Sequence, residues 1–263
     1  MKRSTLVATA VLAAVFSAPA TAQSAKRDTQ GWQFELTPYL WAPALKGSVQ
    51  VNNAPKAKLD LSAWDMIQML DFSAAGRFEA RNGRWTGFAD VFYAKVSDSG
   101  DGEIKLRRGP GIEFDANMKM KQVIGELGGG YRIVEGSTPV DLMLGGRYNK
   151  IDMDAKVEAT GQGPLGLGAS RTATYEKNWW DPYIGVRAQI PIADKWSLLA
   201  YGDVGGFRND SHTWQLIGGV GYAYSQTTSF KLGYRYYHVN YDHGGLDYDM
   251  NQRGITAGVS FKF

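Results

Sequence analysis

The chain has 263 residues and no cysteine, so neither disulfide bonds nor thiolate metal sites can stabilise it. Its 32 glycines, 13% aromatic residues and only 9 prolines are typical of a protein built from many strands and tight turns. The formal net charge of +3 falls to about +1 without Lys2 and Arg3, and so small a charge argues against nucleic acid as a partner.

The N-terminus has the pattern of a secretory signal peptide. Lys2 and Arg3 precede an apolar stretch at 6–16, and the small residues Ala20-Thr21-Ala22 follow it. An uncleaved membrane helix would need roughly 18 apolar residues, which this stretch does not reach. We therefore predict a signal peptide at 1–22, cleavage after Ala22, and export to the outer membrane of a Gram-negative bacterium.

The remaining chain, residues 23–263, is predicted to form one all-β domain. Ten candidate strands are found, at 32–42, 72–80, 84–96, a stretch ending near 132, 140–151, 179–190, 196–207, 213–224, 228–241 and 254–263. Asn82-Gly83 between the second and third strands is a strong hairpin signal. Short turns at one end and longer connections at the other indicate a transmembrane antiparallel up-and-down β-barrel. Ten strands fit best, and eight or twelve remain possible.

Three connections are predicted to be long. Residues 43–70 form the first, with a possible hairpin and a short helix that Ser62 and Asp65 could cap. Residues 159–178 are rich in glycine and polar residues, and 242–252 are mostly polar, so both are interpreted as exposed loops.

The strands have one apolar face and one polar face, because side chains alternate along a strand. In 179–190, for example, Ile184 and Val186 oppose Tyr183 and Arg187. Aromatic residues lie near the ends of the apolar rows, as expected at membrane interfaces. The apolar face is therefore predicted to contact outer-membrane lipid, with these interface aromatics: Trp85, Tyr131, Tyr148, Trp180, Trp196, Trp214, Tyr222 and Tyr236.

The polar face is predicted to line a lumen. Its charges nearly balance, and an unpaired charge inside a narrow barrel is costly, so we expect ion pairs that narrow the lumen. The predicted lumen-lining residues are Arg77, Glu79, Asp90, Glu126, Arg132, Asp141, Arg147, Arg187, Asp203, Lys231, Arg235 and Lys262.

Several stretches together resemble a family of small, mostly uncharacterised proteobacterial outer-membrane proteins, broadly similar to OmpA-like and OmpW-like barrels. They are "FELTPYLWAP", "GRFEARNGRWTGFADVFY", "YGDVGGF", "GYRYYHVNYDHGGLDYDM" and the terminal "FKF". The resemblance implies a barrel in the outer membrane, with Phe263 as the terminal signal that the barrel-assembly machinery reads. It implies no catalytic residue.

One polar cluster raises the question of catalysis. Asp210 and His212 resemble the Asp-x-His pair of the omptin proteases, in which a carboxylate orients an imidazole base. In the omptins this pair faces an Asp-x-Asp pair, which should lie in the loop after the third strand and is absent there. Asp152 and Asp154 have the Asp-x-Asp spacing, but they follow the fifth strand. We therefore predict that the protein is not an enzyme and that it holds no cofactor or metal.

Three functions are compatible with these patterns. The first is a structural barrel or a passive pore for small solutes with a narrow, charge-lined lumen. The second is a binding or adhesion module that acts through surface loops such as 159–178 and 242–252. The third and weakest is an omptin-like hydrolase.

Overall fold

The computed structural model describes residues 31–53, 56–104, 112–161 and 168–263. The predicted signal peptide, 1–22, lies outside the described residues. No helix within the described ranges has the length and hydropathy needed to cross a bilayer.

The chain forms a closed antiparallel barrel of ten strands, which confirms the predicted fold class. The elements are β1 (Gln33–Val51), β2 (Ala57–Leu61), α1 (Ala63–Gln68), β3 (Leu70–Asn82), β4 (Trp85–Ile104), β5 (Ile112–Val134), β6 (Val140–Gly161), β7 (Gly168–Ala193), β8 (Trp196–Arg208), β9 (Ser211–Ala223), β10 (Thr228–His243) and β11 (Leu246–Lys262). Consecutive strands from β3 to β11 pair with each other, β1 pairs with β3, and β11 pairs with β1 to close the barrel. The extra strand, β2, pairs only with β1.

The two ends of the barrel differ in their connections. Short turns at 83–84, 135–139, 194–195 and 224–227 lie at the same end as the start of β1 and the end of β11. Short turns and chain termini face the periplasm in outer-membrane barrels. The opposite end, which carries α1 and β2, is therefore extracellular.

Strands β4, β6 and β7 extend beyond their predicted extracellular ends, and β5 pairs with β4 and β6 along the added length. The pairing of β4 with β5 continues to Ile104 and Ile112, and that of β6 with β7 continues to Thr160 and Gly168. Most of the predicted loop 159–178 is therefore the start of β7. Outside the bilayer a strand needs backbone partners but no apolar row, so its composition resembles that of a loop.

The prediction of a last loop at 242–252 is also wrong. Gly244 and Gly245 make a two-residue turn with φ of 63° and 81°, and the residues on either side pair as β10 and β11. A two-residue hairpin turn with positive φ at both positions favours glycine, because glycine adopts these angles without a steric penalty.

The first connection is shorter than predicted, because β1 continues through Val51. Residues 45–49 of β1 pair with β2 in a hairpin, and α1 follows. Ser62 caps α1: its Oγ accepts from the Asp65 N–H at 3.2 Å, and the Asp65 carboxylate accepts from the Ser62 N–H at 2.9 Å. This reciprocal arrangement is a capping box.

The outer surface carries an apolar belt bounded by aromatic side chains. Leu127, Leu144 and Leu216 are each more than half exposed on outward rows. All eight predicted interface aromatics lie at its rims as four cross-strand pairs, Trp85–Tyr131, Trp196–Tyr222, Tyr148–Trp180 and Trp214–Tyr236, with ring centroids 4.7, 4.8, 5.2 and 4.6 Å apart.

The belt has the height of a bilayer core. Trp214 and Tyr222, at opposite rims, are eight positions apart on β9. At about 3.3 Å per residue and a strand tilt of roughly 40°, the rims are about 20 Å apart along the barrel axis. Outer-membrane barrels have an apolar band of this order.

Candidate functional site: the lumen

The inward rows bring charged side chains from many strands into the barrel interior. Strand alternation determines this placement, since every second residue of β3 to β11 faces inward. The interior has three levels: a charged periplasmic mouth, a buried ion-pair layer at mid-height, and an apolar layer on the extracellular side.

Arg147, on β6, is the centre of the middle layer and is fully buried. Its Nε lies 2.9 Å from the Glu126 carboxylate and its Nη2 lies 2.8 Å from that of Asp203. Its Nη1 donates to the Thr213 hydroxyl at 3.3 Å. Arg235 approaches Glu126 at 3.4 Å, so two cations and two anions form one buried network.

Aromatic and amide groups enclose the same guanidinium. Its carbon lies 4.7 Å from the ring centre of Tyr183 and 5.0 Å from that of Tyr237. The Tyr237 hydroxyl donates to Asn149 at 2.9 Å, and the Gln215 amide donates to Asp203 at 3.0 Å. The described side chains thus fill the cross-section at this level.

Three arginines share one carboxylate nearer the periplasm. Asp141 lies 2.9 Å from Arg187, 2.9 Å from Arg132 and 3.1 Å from Arg81. These residues come from β3, β5, β6 and β7, so the cluster links four strands across the lumen.

A second carboxylate, Glu79, lies beside this cluster. It is 2.6 Å from both Arg77 and Arg187. Arg77 also approaches Asp90 at 3.6 Å, and Asp90 accepts a hydrogen bond from the Tyr39 hydroxyl at 2.7 Å. Ten of the predicted lumen residues therefore belong to connected ion pairs within the barrel.

The other two, Lys231 and Lys262, lie at the periplasmic mouth. Lys231 makes an ion pair with Glu35, and Lys262 lies 4.0 Å from the same carboxylate. Both lysine side chains are more than 40% exposed. Solvent weakens such pairs, so they contribute little to stability.

The periplasmic turns carry a further exposed ion pair. Arg84 Nε donates to Glu135 at 2.7 Å, and this hydrogen bond lowers the pKa of the Glu135 carboxyl. Arg84 also donates to the Tyr131 hydroxyl at 3.3 Å. This pair joins two neighbouring periplasmic turns, and because both charged groups are exposed to water it contributes little to stability.

Sequence reasoning missed several luminal groups, among them Glu35, Tyr39, Arg81 and Asp181. Asp181 is fully buried, and it accepts from the Ser211 hydroxyl at 2.6 Å and from Trp179 Nε1 at 2.9 Å. It lies on the same inward row as Arg187, so the strand phase alone could have found it.

An apolar layer fills the extracellular part of the lumen, which the sequence analysis did not predict. Trp179 stacks on Tyr241 with centroids 4.2 Å apart, and Trp41 meets Phe92 edge to face at 4.9 Å. The buried members of this layer are Trp41, Leu45, Val49, Met66, Phe92, Val96, Ile124, Ile151, Trp179, Tyr237, Val239, Tyr241, Leu246, Tyr248 and Met250. This layer and the Arg147 layer together close the lumen.

The predicted Asp210–His212 pair is not the arrangement observed. Asp210 lies 3.3 Å from the imidazole of His243 and 3.5 Å from Arg208, whereas His212 is exposed on the outward row of β9. The turn between β8 and β9 places Asp210 beside the β10–β11 hairpin, which the sequence order does not reveal.

The other candidate carboxylates are surface groups. Asp152 lies 3.6 Å from Lys150 at the extracellular end of β6, and Asp154 is two residues further on. Within the described ranges, no group of three or more His, Asp or Glu side chains is placed to hold a metal ion.

Similarity to known proteins is found among solved structures of outer-membrane proteins. No family model and no curated protein matches the chain. Among solved structures, the outer-membrane protease OmpT of Escherichia coli is similar over 90% of this chain and 98% of its own, with 11% identity and a TM-score of 0.48.

Two further structures are similar over most of the chain. The translocator domain of the autotransporter NalP of Neisseria meningitidis covers 90% of both chains, with 11% identity and a TM-score of 0.42. Ail, the attachment invasion locus protein of Yersinia pestis, covers 89% of this chain and 99% of its own, with 13% identity and a TM-score of 0.28. At these values the similarity concerns the barrel fold and carries no argument about activity.

The closed barrel, its apolar belt and its two aromatic rims define the class of the protein. It is an integral outer-membrane β-barrel protein.

Proposed function

We propose that the protein is a closed barrel that serves as a membrane scaffold and presents a sheet at the cell surface for binding. The observation that carries the proposal is the filled lumen, in which Arg147 is 0% exposed between Glu126 and Asp203. A passive pore needs a water-filled path, and the side chains at this level leave no room for one.

The presented sheet consists of the extracellular ends of β4 to β7. We call residues 95–104, 112–121, 150–161 and 168–178 the surface sheet. From Tyr148, at the upper rim, β6 runs 13 further residues to Gly161. At about 3.3 Å per residue this is roughly 40 Å of strand beyond the apolar belt.

The lower part of the surface sheet has the composition of a structure in water. Lys95 lies 3.1 Å from Asp71, and Lys150 lies 2.6 Å from Glu176. Charged pairs replace the apolar outward row directly above the aromatic rim. A paired, polar sheet that rises above the membrane offers a surface for a partner and requires no opening in the barrel.

We further propose the finer features that the sequence indicates. These are cleavage of the signal peptide after Ala22, kinship with OmpA-like and OmpW-like barrels, recognition of Phe263 by the barrel-assembly machinery, and the absence of catalytic activity.

Planar-bilayer conductance tests the closed lumen. We expect no steady channel events from the refolded wild type. Its folding would be verified by heat-dependent migration on gels. Steady conductance from the wild type would refute the closed lumen.

Trimming the surface sheet tests the binding role. Replacing 98–118 and 154–174 by Asn-Gly joins the residue pairs Ser97–Lys119 and Met153–Tyr175, which are already opposite in the sheet. Cells that express the wild type or the trimmed protein would be compared for binding to immobilised proteins and glycans. We expect binding by the wild type only, and equal binding by both would argue against this role.

A further inference from the structure

The barrel wall has a gap in its pairing between β1 and β3. The register of these strands ends at Tyr39 opposite Ala75, and the pairing of β1 with β2 begins only at Leu45 opposite Leu61. Within the described residues, the β1 segment 40–44 therefore has a strand partner, β11, on one side only. The facing segment of β3, residues 70–74, likewise has only one strand partner among the described residues, β4.

The short helix α1 covers this gap. Met66 is 7% exposed and belongs to the apolar layer inside the barrel. Trp64 and Ile67 face the other way, with 65% and 45% exposure. A six-residue helix is weak by itself, so its position depends on its cap and on the packing of Met66.

A cavity of about 50 Å³ lies beneath α1. Its walls are mainly apolar and include Met66, Phe92 and Ala94. Ile67 and Leu70 also line it and are 45% and 39% exposed, so the cavity has its mouth on the outer surface.

The surroundings of the mouth are those of the apolar belt. Leu40 and Phe72 are 57% and 49% exposed, and Phe72 packs on the outward Tyr93 with centroids 5.9 Å apart. These side chains place the mouth at the upper edge of the apolar belt, next to the Lys95–Asp71 ion pair and within reach of the outer leaflet.

Two polar groups in the cavity wall are buried without a hydrogen-bond partner among the described residues. They are Trp41 Nε1 and Ser73 Oγ. A buried donor without an acceptor destabilises the folded state, so most such groups have a partner. A molecule that combines an apolar chain with a carbonyl oxygen would satisfy both the walls and these donors.

We propose that the gap is a lateral binding site for an acyl chain that enters from the outer leaflet. The chain contacts Met66 and Phe92, and its carbonyl oxygen accepts a hydrogen bond from Trp41 or Ser73. The cavity has the volume of only one or two water molecules, so α1 must move outward for the chain to enter. The helix acts as a movable cover over the unpaired part of the wall.

Photolabelling in a membrane tests this proposal. The full-length protein would be placed in phosphatidylcholine vesicles containing a fatty acid with a diazirine close to its carboxyl group, and adducts would be located by peptide mass spectrometry. We expect adducts on residues of the cavity wall, such as Phe92 and Met120. Labelling confined to outward residues of the belt would show that the cavity takes only water and would overturn the proposal.

Matched variants on β4 make the test specific. Ala94→Leu fills the cavity from its wall, whereas Val91→Leu adds the same kind of side chain on the outward row. The added side chain occupies the space that the acyl chain would enter, so cavity labelling should fall severalfold in Ala94→Leu and stay unchanged in Val91→Leu.

A third variant enlarges the cavity instead of filling it. Met66→Ala widens the cavity and should increase labelling of Phe92. Equal cavity labelling in all folded variants, with folding judged by heat-dependent gel migration, would refute the site.

Discussion

Replacement of Arg147 by methionine should strongly destabilise the barrel. Methionine keeps most of the length of the side chain and removes the charge. Glu126 would retain two longer contacts, with Arg235 and with the Gln215 amide, both at 3.4 Å, and Asp203 would retain the Gln215 amide at 3.0 Å. Both carboxylates would thus remain buried with too little compensation.

The expected loss follows from this geometry. Removing one partner of a buried ion pair typically costs about 3–5 kcal/mol, because the remaining charge has no solvent. Arg147 serves two carboxylates through contacts of 2.9 and 2.8 Å, which places the loss toward the upper part of this range. The triple variant Arg147→Met/Glu126→Gln/Asp203→Asn should recover part of the loss, because it leaves no excess negative charge.

Urea unfolding in lipid vesicles, followed by tryptophan fluorescence, gives the free energy of unfolding. Arg84→Met is the control, since Arg84 and Glu135 form an ion pair with 46% and 59% side-chain exposure. We expect no measurable change for the control. A loss below about 1 kcal/mol for Arg147→Met, or a triple variant less stable than the single one, would contradict the role assigned to the buried network.

Three further perturbations address closure, assembly and the helix. Gly254→Ala would place a Cβ 1.9 Å from a carbonyl oxygen of β1 and should prevent barrel closure, which gel migration would show. Gly218→Ala is the control: its Cβ would have no atom within 4 Å, so this variant should fold normally. Deleting Phe263 removes its two backbone hydrogen bonds with Phe34, of 3.0 and 3.1 Å. In pulse-chase experiments the deletion should slow membrane assembly more than it lowers the stability of the finished barrel, and normal assembly kinetics would contradict this prediction. Ser62→Ala removes the cap of α1 and should accelerate peroxide oxidation of the methionine beneath the helix; an unchanged rate would mean that the cap does not hold the cover in place.

The alternation of side chains was the most informative feature of the sequence. It depends only on strand geometry, so it assigned Arg147, Glu126 and Asp203 to one face before their partners were known. Asp181 lies on the same polar row as Arg187, although it was not among the predicted lumen-lining residues.

The partners across the lumen could not be derived in this way. Arg81, Arg132 and Arg187 converge on Asp141 because four strands have particular registers and tilts. The strand registers depend on the closure of the whole barrel and on tight turns such as Gly244-Gly245. This turn was not recognised in the sequence, because the polar composition of 242–252 indicated a longer loop. The apolar layer near Trp179 was not predicted, because the alternation of residues in the sequence does not distinguish an aromatic row that faces the lumen from one that faces lipid.

The closed lumen and the unpaired segment of wall have a common physical origin. In a bilayer every backbone group needs a partner, and a continuous ring of strands provides one at each position. Where β1 leaves β3 to pair with β2, the ring is interrupted, and α1 covers the opening with Met66 directed inward. The segments of β1 and β3 on either side of this opening lack hydrogen bonds to each other, so we expect local opening of the wall to concentrate at this seam. Under the lateral site proposed above, an acyl chain would enter through the side of the barrel while its axis stays filled by side chains.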